Sequence, residues 1–123
     1  MWLIKVQTWR HSTIRSNPVL NFLWLIGAHF VGDIALQSDW QANNKGKYWY
    51  VMLSHCIIWT MCICLTLAAL DSLEWWHPFF LVGLHGLADS IKVRQPKIPE
   101  NWWMIYPDQL WHFAQLLVVY CVH

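Results

Sequence analysis

The run Gly27-Ala28-His29-Phe30-Val31-Gly32-Asp33 sets an imidazole and a carboxylate four residues apart inside an apolar stretch. On a helix, residues four apart lie one above the other on one face. The arrangement returns 56 residues later as Gly83-Leu84-His85-Gly86-Leu87-Ala88-Asp89, and in reverse order as Asp108-Gln109-Leu110-Trp111-His112. His55 adds a fourth imidazole. Neutral imidazole and carboxylate are the usual ligands of zinc, manganese and iron. His29, Asp33, His55, His85, Asp89, Asp108 and His112 are therefore expected to form a divalent-metal site (Zn, Mn or Fe). Seven groups exceed the needs of one tetrahedral ion, so some would support the ligands or hold a second ion. A metal with an open coordination position lowers the pKa of its water and supplies a hydrolytic nucleophile. Lys92, with Arg94 beside it, suits a phosphate or a lipid headgroup. Gln37, Asp39 and Gln109 line the expected entrance, and Gln37, Asp39 and Lys92 form the expected catalytic set.

These groups need elements to hold them, and the composition says which. Of 123 residues, 57% are hydrophobic and only 12% charged, far too apolar a balance for an ordinary soluble domain. Eleven tryptophans accompany this, several where a segment would meet the membrane–water interface. The net charge of +1, with no basic stripe carrying interleaved aromatics, excludes a nucleic-acid partner. Four cysteines, 56, 62, 64 and 121, match neither a zinc ribbon nor a disulfide framework and read as small apolar fillers. The start of the chain lacks the charged–apolar–small order of a cleavable leader.

Taken in order, residues 1–16 mix Trp2, Leu3, Ile4, Val6 and Trp9 with Lys5, Arg10, His11 and Arg15, an interfacial amphipathic segment. Residues 17–123 form a second region, a four-span transmembrane domain. Asn17-Pro18 opens span one, which runs to about Leu36. Residues 38–47 are polar and turn-rich, a loop. Span two covers roughly Trp49 to Leu70, and Asp71-Ser72-Leu73-Glu74 makes a tight acidic turn. Span three runs from about His77 to Ile91, followed by a basic, proline-broken loop. Trp102, Trp103 and Tyr106 form an aromatic belt ahead of span four, from Pro107 to the end.

Only helices or closed barrels satisfy their backbone in lipid, so four such spans imply an all-α membrane protein, an antiparallel four-helix bundle. His29-Asp33 and His85-Asp89 lie late in spans one and three; His55 and Asp108-His112 lie early in spans two and four. In an up-down bundle these places share one end. His29 to His55 is 26 residues and His85 to His112 is 27, and Leu53-x-His55 matches Leu110-x-His112. The bundle therefore reads as two pseudo-repeated helical hairpins.

Polar residues in spans also serve as interhelical hydrogen-bond glue, each worth about 0.6–2 kcal/mol. Seven converging at one depth point instead to a functional site. An ion conductor would need polar groups along its whole path, and the other half of each span is apolar. His11, His77 and His123 stand at interfacial or terminal positions without a carboxylate partner, and the tryptophans read as belt and packing groups. The loops 38–47 and 92–106 hold Lys45, Lys47, Lys92, Arg94 and Lys97, and the 71–76 turn is acidic. The positive-inside rule places those loops in the cytoplasm, although Lys5, Arg10 and Arg15 lie on the other side.

The run from Ala28 through His29-Phe30-Val31-Gly32-Asp33 and Gln37-Ser38-Asp39-Trp40 to Lys45 resembles the opening signature of the domain of unknown function 3307 family. His55, His85-x-x-x-Asp89 followed by Lys92, and Asp108-Gln109-x-x-His112 match the rest of its pattern in order. The resemblance runs from Asn17 onward and implies a small integral membrane protein of a bacterium or its phage. That implication places the chain in the bacterial inner membrane, and the loop charges place the site near the cytoplasmic face. The scatter of His and Asp is also similar, more loosely, to membrane-bound metal-dependent hydrolases. The resulting expectation is a metal-dependent hydrolase acting on a lipid or a membrane-proximal ester or phosphoester. The alternative is a non-enzymatic membrane protein whose polar cluster serves packing or partner binding. Its partners would be the lipid bilayer, a lipid or phosphate-bearing substrate, and further copies of itself or another membrane protein.

Overall fold

The structure is a computed structural model that describes residues 17–95 and 99–123. The interfacial segment expected over 1–16 and the cation Lys97 lie outside the described residues. Among the described residues all regular structure is helical. Helix α1, Pro18–Phe30, runs into a π-helical turn, Val31–Ala35. The short α2, Asp39–Asn44, precedes the longer α3, Trp49–Ala69, and α4, His77–Lys92. A 3-10 stretch, Pro99–Met104, leads into α5, Ile105–Cys121.

Local chemistry sets the boundaries. Asn17 caps α1 through its side-chain oxygen, which accepts from the amides of Val19 and Leu20 at 3.1 Å, and Pro18 fills the first helical position. The expected tight turn after α3 forms with Asp71 at a φ of 54°. His77, read from the sequence as an interfacial residue, is fully buried there. Its Nδ1 accepts from the Glu74 amide at 3.1 Å and its Nε2–H donates to the Val122 carbonyl at 3.2 Å. It ties the turn to the far end of α5.

The four longer helices pack in a ring: α3 against α1 and α4, and α5 against α4 and α1. Neighbours run antiparallel, since the Tyr120 hydroxyl near the end of α5 donates to the Pro18 carbonyl at the start of α1. One half of the ring is apolar, with Leu25, Ile63, Leu67, Leu81, Leu116 and Val119 fully buried. All four cysteines are free, and Cys56 and Cys64 pack inside. Pro18–Ala35 and Trp49–Ala69 are long and apolar enough to cross a membrane, by length and composition only. The other two long helices, at 16 and 17 residues, are shorter.

Two departures from the sequence reading shape the site. The stretch 38–47 is not all loop: Ser38 accepts from the Gln41 amide at 3.1 Å and starts α2. Gln41 then donates to Ser54 of α3 at 3.2 Å, docking α2 against the bundle. The second departure is the π turn, which adds a residue to one turn of α1 and so redirects Asp33 relative to His29. The stretch after His29 carries this turn, whereas α4 is regular through His85 and Asp89.

Gly32 lets the turn lie close against α3, because a Cβ there would stand 2.9 Å from the Cα of Trp59. Backbone cannot yield as a flexible side chain can. Gly32→Ala is therefore expected to destabilise the bundle by about 1–3 kcal/mol, the range for overpacking. Gly86→Ala, whose Cβ would meet only the Cys56 sulfur at 3.5 Å, serves as the control and should leave stability nearly unchanged. Thermal unfolding of the two variants in one detergent checks the contrast; equal behaviour would remove the close-approach role of Gly32.

Candidate metal centre

Three helices deliver the inner group. Asp33 comes from the π turn, His55 from the second turn of α3, and His85 and Asp89 from one face of α4. One donor atom from each lies within 4.8 Å of all the others. His55 Nε2 is the centre of this crowd. It stands 3.3 Å from Asp33 Oδ1, 3.2 Å from Asp89 Oδ2 and 3.1 Å from His85 Nε2. His85 Nε2 lies 3.9 Å from Asp33 Oδ1 and 3.8 Å from Asp89 Oδ2. All four side chains are at least nine-tenths buried.

One imidazole nitrogen cannot satisfy such neighbours alone. A neutral His55 with its proton on Nδ1 would aim a lone pair at two carboxylates, and one N–H serves few acceptors. The point between these atoms calls for a positive charge, either a proton on the ring or a metal ion. Ligands at about 2.0–2.1 Å around a tetrahedral ion sit about 3.3–3.4 Å apart. The three separations from His55 Nε2 are close to this, and the two from His85 Nε2 to the carboxylates are longer. The Nδ1 atoms of His55 and His85 have no hydrogen-bond partner. With their protons there, both Nε2 lone pairs face the centre.

A fifth group joins them. Lys45, just past the end of α2, is buried, with Nζ 2.6 Å from Asp89 Oδ2 and 3.5 Å from His55 Nε2. In sequence it reads as one of the loop cations that set topology. The signal that could have placed it is Ser38, a good N-cap that starts a short helix and folds Lys45 back toward α3.

His29 occupies a different position from the one its spacing implies. The Trp59 indole N–H donates to His29 Nδ1 at 2.9 Å, which leaves the proton on Nε2 to donate to Gln109 Oε1 at 2.9 Å. Gln109 in turn donates to Asp108 Oδ2 at 3.3 Å, which also receives Lys92 Nζ at 2.8 Å. Both ring nitrogens of His29 are thus engaged, and it belongs to a directional chain beside the inner group. Trp59 is central rather than belt-forming, since its ring also stacks on His85 with centroids 4.2 Å apart. Nothing in the spacing of the tryptophans marks this one.

Asp108 and His112 form a second group with Asp89, again with donor atoms within 4.8 Å. His112 Nδ1–H donates to the Asp108 carbonyl at 2.7 Å, and its Nε2 is buried without a partner. Of the expected catalytic set, Asp39 is exposed on the first turn of α2 and outside both groups. Gln37 and Lys92 instead line a cavity of about 380 Å³ whose wall includes Lys45, Asn101 and Met104. Gln37 Oε1 is buried without a partner. Burial works to lower the Lys92 ammonium pKa, but the Asp108 carboxylate outweighs it and holds it above the ordinary lysine value.

With Lys45 charged and both inner histidines neutral, the inner group carries one net negative charge. A divalent cation would turn that to one positive, which an anion arriving through the cavity could balance. Both lysines on the cavity wall bind carboxylates of the two groups, so the cavity is linked to this chemistry through Lys45 and Lys92.

No curated protein and no solved structure matches the chain. A family profile described as "Protein of unknown function (DUF3307)" does match, over residues 20–123, a span that takes in the described helices, apart from the first two residues of α1, and both His/Asp groups. On that match, the chain is a member of the DUF3307 family of proteins of unknown function.

Proposed function

We propose that this chain is an integral membrane protein of four helical spans. In this reading Asp33, His55, His85 and Asp89 hold one divalent metal ion of the zinc, manganese or iron class. We further propose that it acts as a metal-dependent hydrolase on an anionic, membrane-proximal ester or phosphoester. The observation that carries the reading is the crowding of four buried donor atoms, all within 4.8 Å of one another, three of them 3.1–3.3 Å from the fourth, His55 Nε2.

The membrane part is supported by an inverted pattern of exposure. Buried positions include Asn21, Thr60, Gln115 and the five histidines 29, 55, 77, 85 and 112, while Val19, Trp24, Leu65, Phe79 and Leu110 are each more than half exposed. Only 28% of the first apolar stretch and 44% of the second is buried, so neither behaves like the core helix of a soluble domain. The shorter α4 and α5 would cross with help from the exposed Trp102, Trp103 and Tyr106 at the interface.

A bound metal ion with an open position would lower the pKa of a water molecule and so supply a nucleophile. Lys45 and Lys92 would draw the substrate anion to the cavity, and the carboxamide of Gln37 would orient it. The Trp59–His29–Gln109–Asp108 chain fixes ring orientations from behind and keeps α1, α3 and α5 in register.

Lys45 favours one other reading. Its ammonium already lies against Asp89, so the cluster could be an ion-paired network that locks the helices together without metal. Metal analysis of protein purified in mild detergent, without added metal or chelator, separates the two. A metal site predicts about one ion per chain, falling by about tenfold or more in Asp33→Asn while the helical signal persists. Lys45→Met should then keep its metal, because only a competing charge has been removed. An ion-paired network predicts no metal in any variant and loss of folding in Lys45→Met.

Orientation follows from the loop charges. Lys45 is buried in the cluster and Lys92 is paired, so Lys47 and Arg94 remain as the free basic signal among the described residues of those loops. We place both loops in the cytoplasm. A cysteine at the exposed position Asn43 should resist a membrane-impermeant maleimide in intact cells and react after lysis. Efficient labelling of intact cells would invert the orientation.

A further inference from the structure

Beside the polar cavity runs a second depression, about 230 Å³, between α4 and α5. Leu87, Ala88, Ile91, Met104, Pro107 and Trp111 make it apolar, and Lys92 and Asp108 close one end. Lys92 and Met104 line both spaces, so the groove and the cavity share a wall. The two surfaces differ sharply in chemistry. The cavity carries two ammonium groups and a buried, unpartnered carboxamide oxygen. The groove offers hydrocarbon and one indole face, with the Trp111 N–H already donating to the Leu84 carbonyl at 3.1 Å.

We infer that the two spaces form one binding site for an anionic phospholipid, its headgroup in the cavity between Lys45 and Lys92 and one acyl chain in the α4–α5 groove. The inference names the substrate class of the hydrolytic site and rests on that reading. Charge complementarity selects the occupant. Lys45 and Lys92 already have Asp89 and Asp108 as counterions. It is therefore the divalent ion of the proposed metal site that leaves one positive charge for an anionic headgroup to balance, and a free anion would leave the groove unused. A lysine has three donors, so Lys92 can keep Asp108 and still meet a phosphate oxygen. Its side chain is 46% exposed, so the headgroup meets it without the ion pair first breaking. The groove opens outward beside the exposed Leu87, Ile91 and Leu110, as a chain arriving sideways from a bilayer requires. A headgroup held at Lys45 would stand directly against Asp89 and His55.

The test is photocrosslinking of the full chain in phosphatidylcholine nanodiscs doped with a phosphatidic acid that carries a diazirine in its acyl chain. Adducts are mapped by mass spectrometry, and metal content is measured on the same samples. The expected result is enrichment on Leu87, Ile91 and Trp111, competed by unlabelled phosphatidic acid and not by added phosphatidylcholine. Lys92→Met should cut that yield about fivefold, as for one cation against an anionic lipid. Ala88→Phe, which fills the groove, should cut it similarly while metal content matches the parent. Adducts spread evenly over the exposed apolar residues, or full competition by phosphatidylcholine, would overturn the lipid site while leaving the metal reading intact. Displacement by inorganic phosphate with no effect of Ala88→Phe would overturn it in favour of a free anion. Selective capture by a parent protein without metal would uphold the lipid site and remove the hydrolytic reading.

Discussion

Two buried carboxylates and the imidazole nitrogen of His85 meet around one atom, His55 Nε2, and that convergence is stable only with a positive charge among them. Taking a carboxylate out of water costs several kcal/mol even after relaxation, so neither Asp33 nor Asp89 can stay ionised there unaided. Lys45 supplies one positive charge and leaves a deficit of one. Whether a proton or a metal ion makes up the remainder decides between a polar rivet and a reactive centre. The rest of the architecture can be read as the means of holding these groups against their mutual repulsion.

The means are specific. Asp33 reaches His55 because the π turn redirects it away from the line of His29, and the turn fits because Gly32 lets its backbone lie against Trp59. Lys45 reaches Asp89 because Ser38 starts a short helix and Gln41 pins it to α3. His29, displaced from the centre, takes the indole N–H of Trp59 and passes a hydrogen bond to Gln109. The two hairpins therefore differ: α4 holds His85 and Asp89 on one face toward the centre, whereas α1 divides its pair between two networks. Both carboxylates still flank the same nitrogen at nearly equal distance.

Much of this is legible in the residues themselves. Apolar runs interrupted by Asn17-Pro18, by the Asp71 turn and by the proline-rich stretch after Lys92 mark the four long helices to within a few residues. Ionisable groups inside such apolar runs are conspicuous, which is how His29, Asp33, His55, His85, Asp89, Asp108 and His112 all stand out. Nothing in the spacing singles out the four of the inner group. The π turn is not legible. An extra residue in one turn leaves no compositional mark, so a four-residue spacing implies a stacked pair that the backbone then separates. Lys45 is hidden for another reason: in a polar, turn-rich stretch a lysine looks solvated, and only the docking of α2 buries it. Trp59 is masked by its ten fellow tryptophans, since the indole N–H that matters is invisible to a count of aromatics.

The central claim is that the charge at the convergence point is a metal ion held by two imidazoles and two carboxylates. X-ray absorption at the edge of the metal that copurifies with the protein tests it most directly. The account predicts a first shell of nitrogen and oxygen only, at about 2.0–2.1 Å for zinc, with the outer-shell scattering of two imidazole rings. That imidazole scattering should weaken in His85→Ala. A shell containing sulfur at about 2.3 Å, a shell without imidazole scattering, or protein that carries no metal would contradict it.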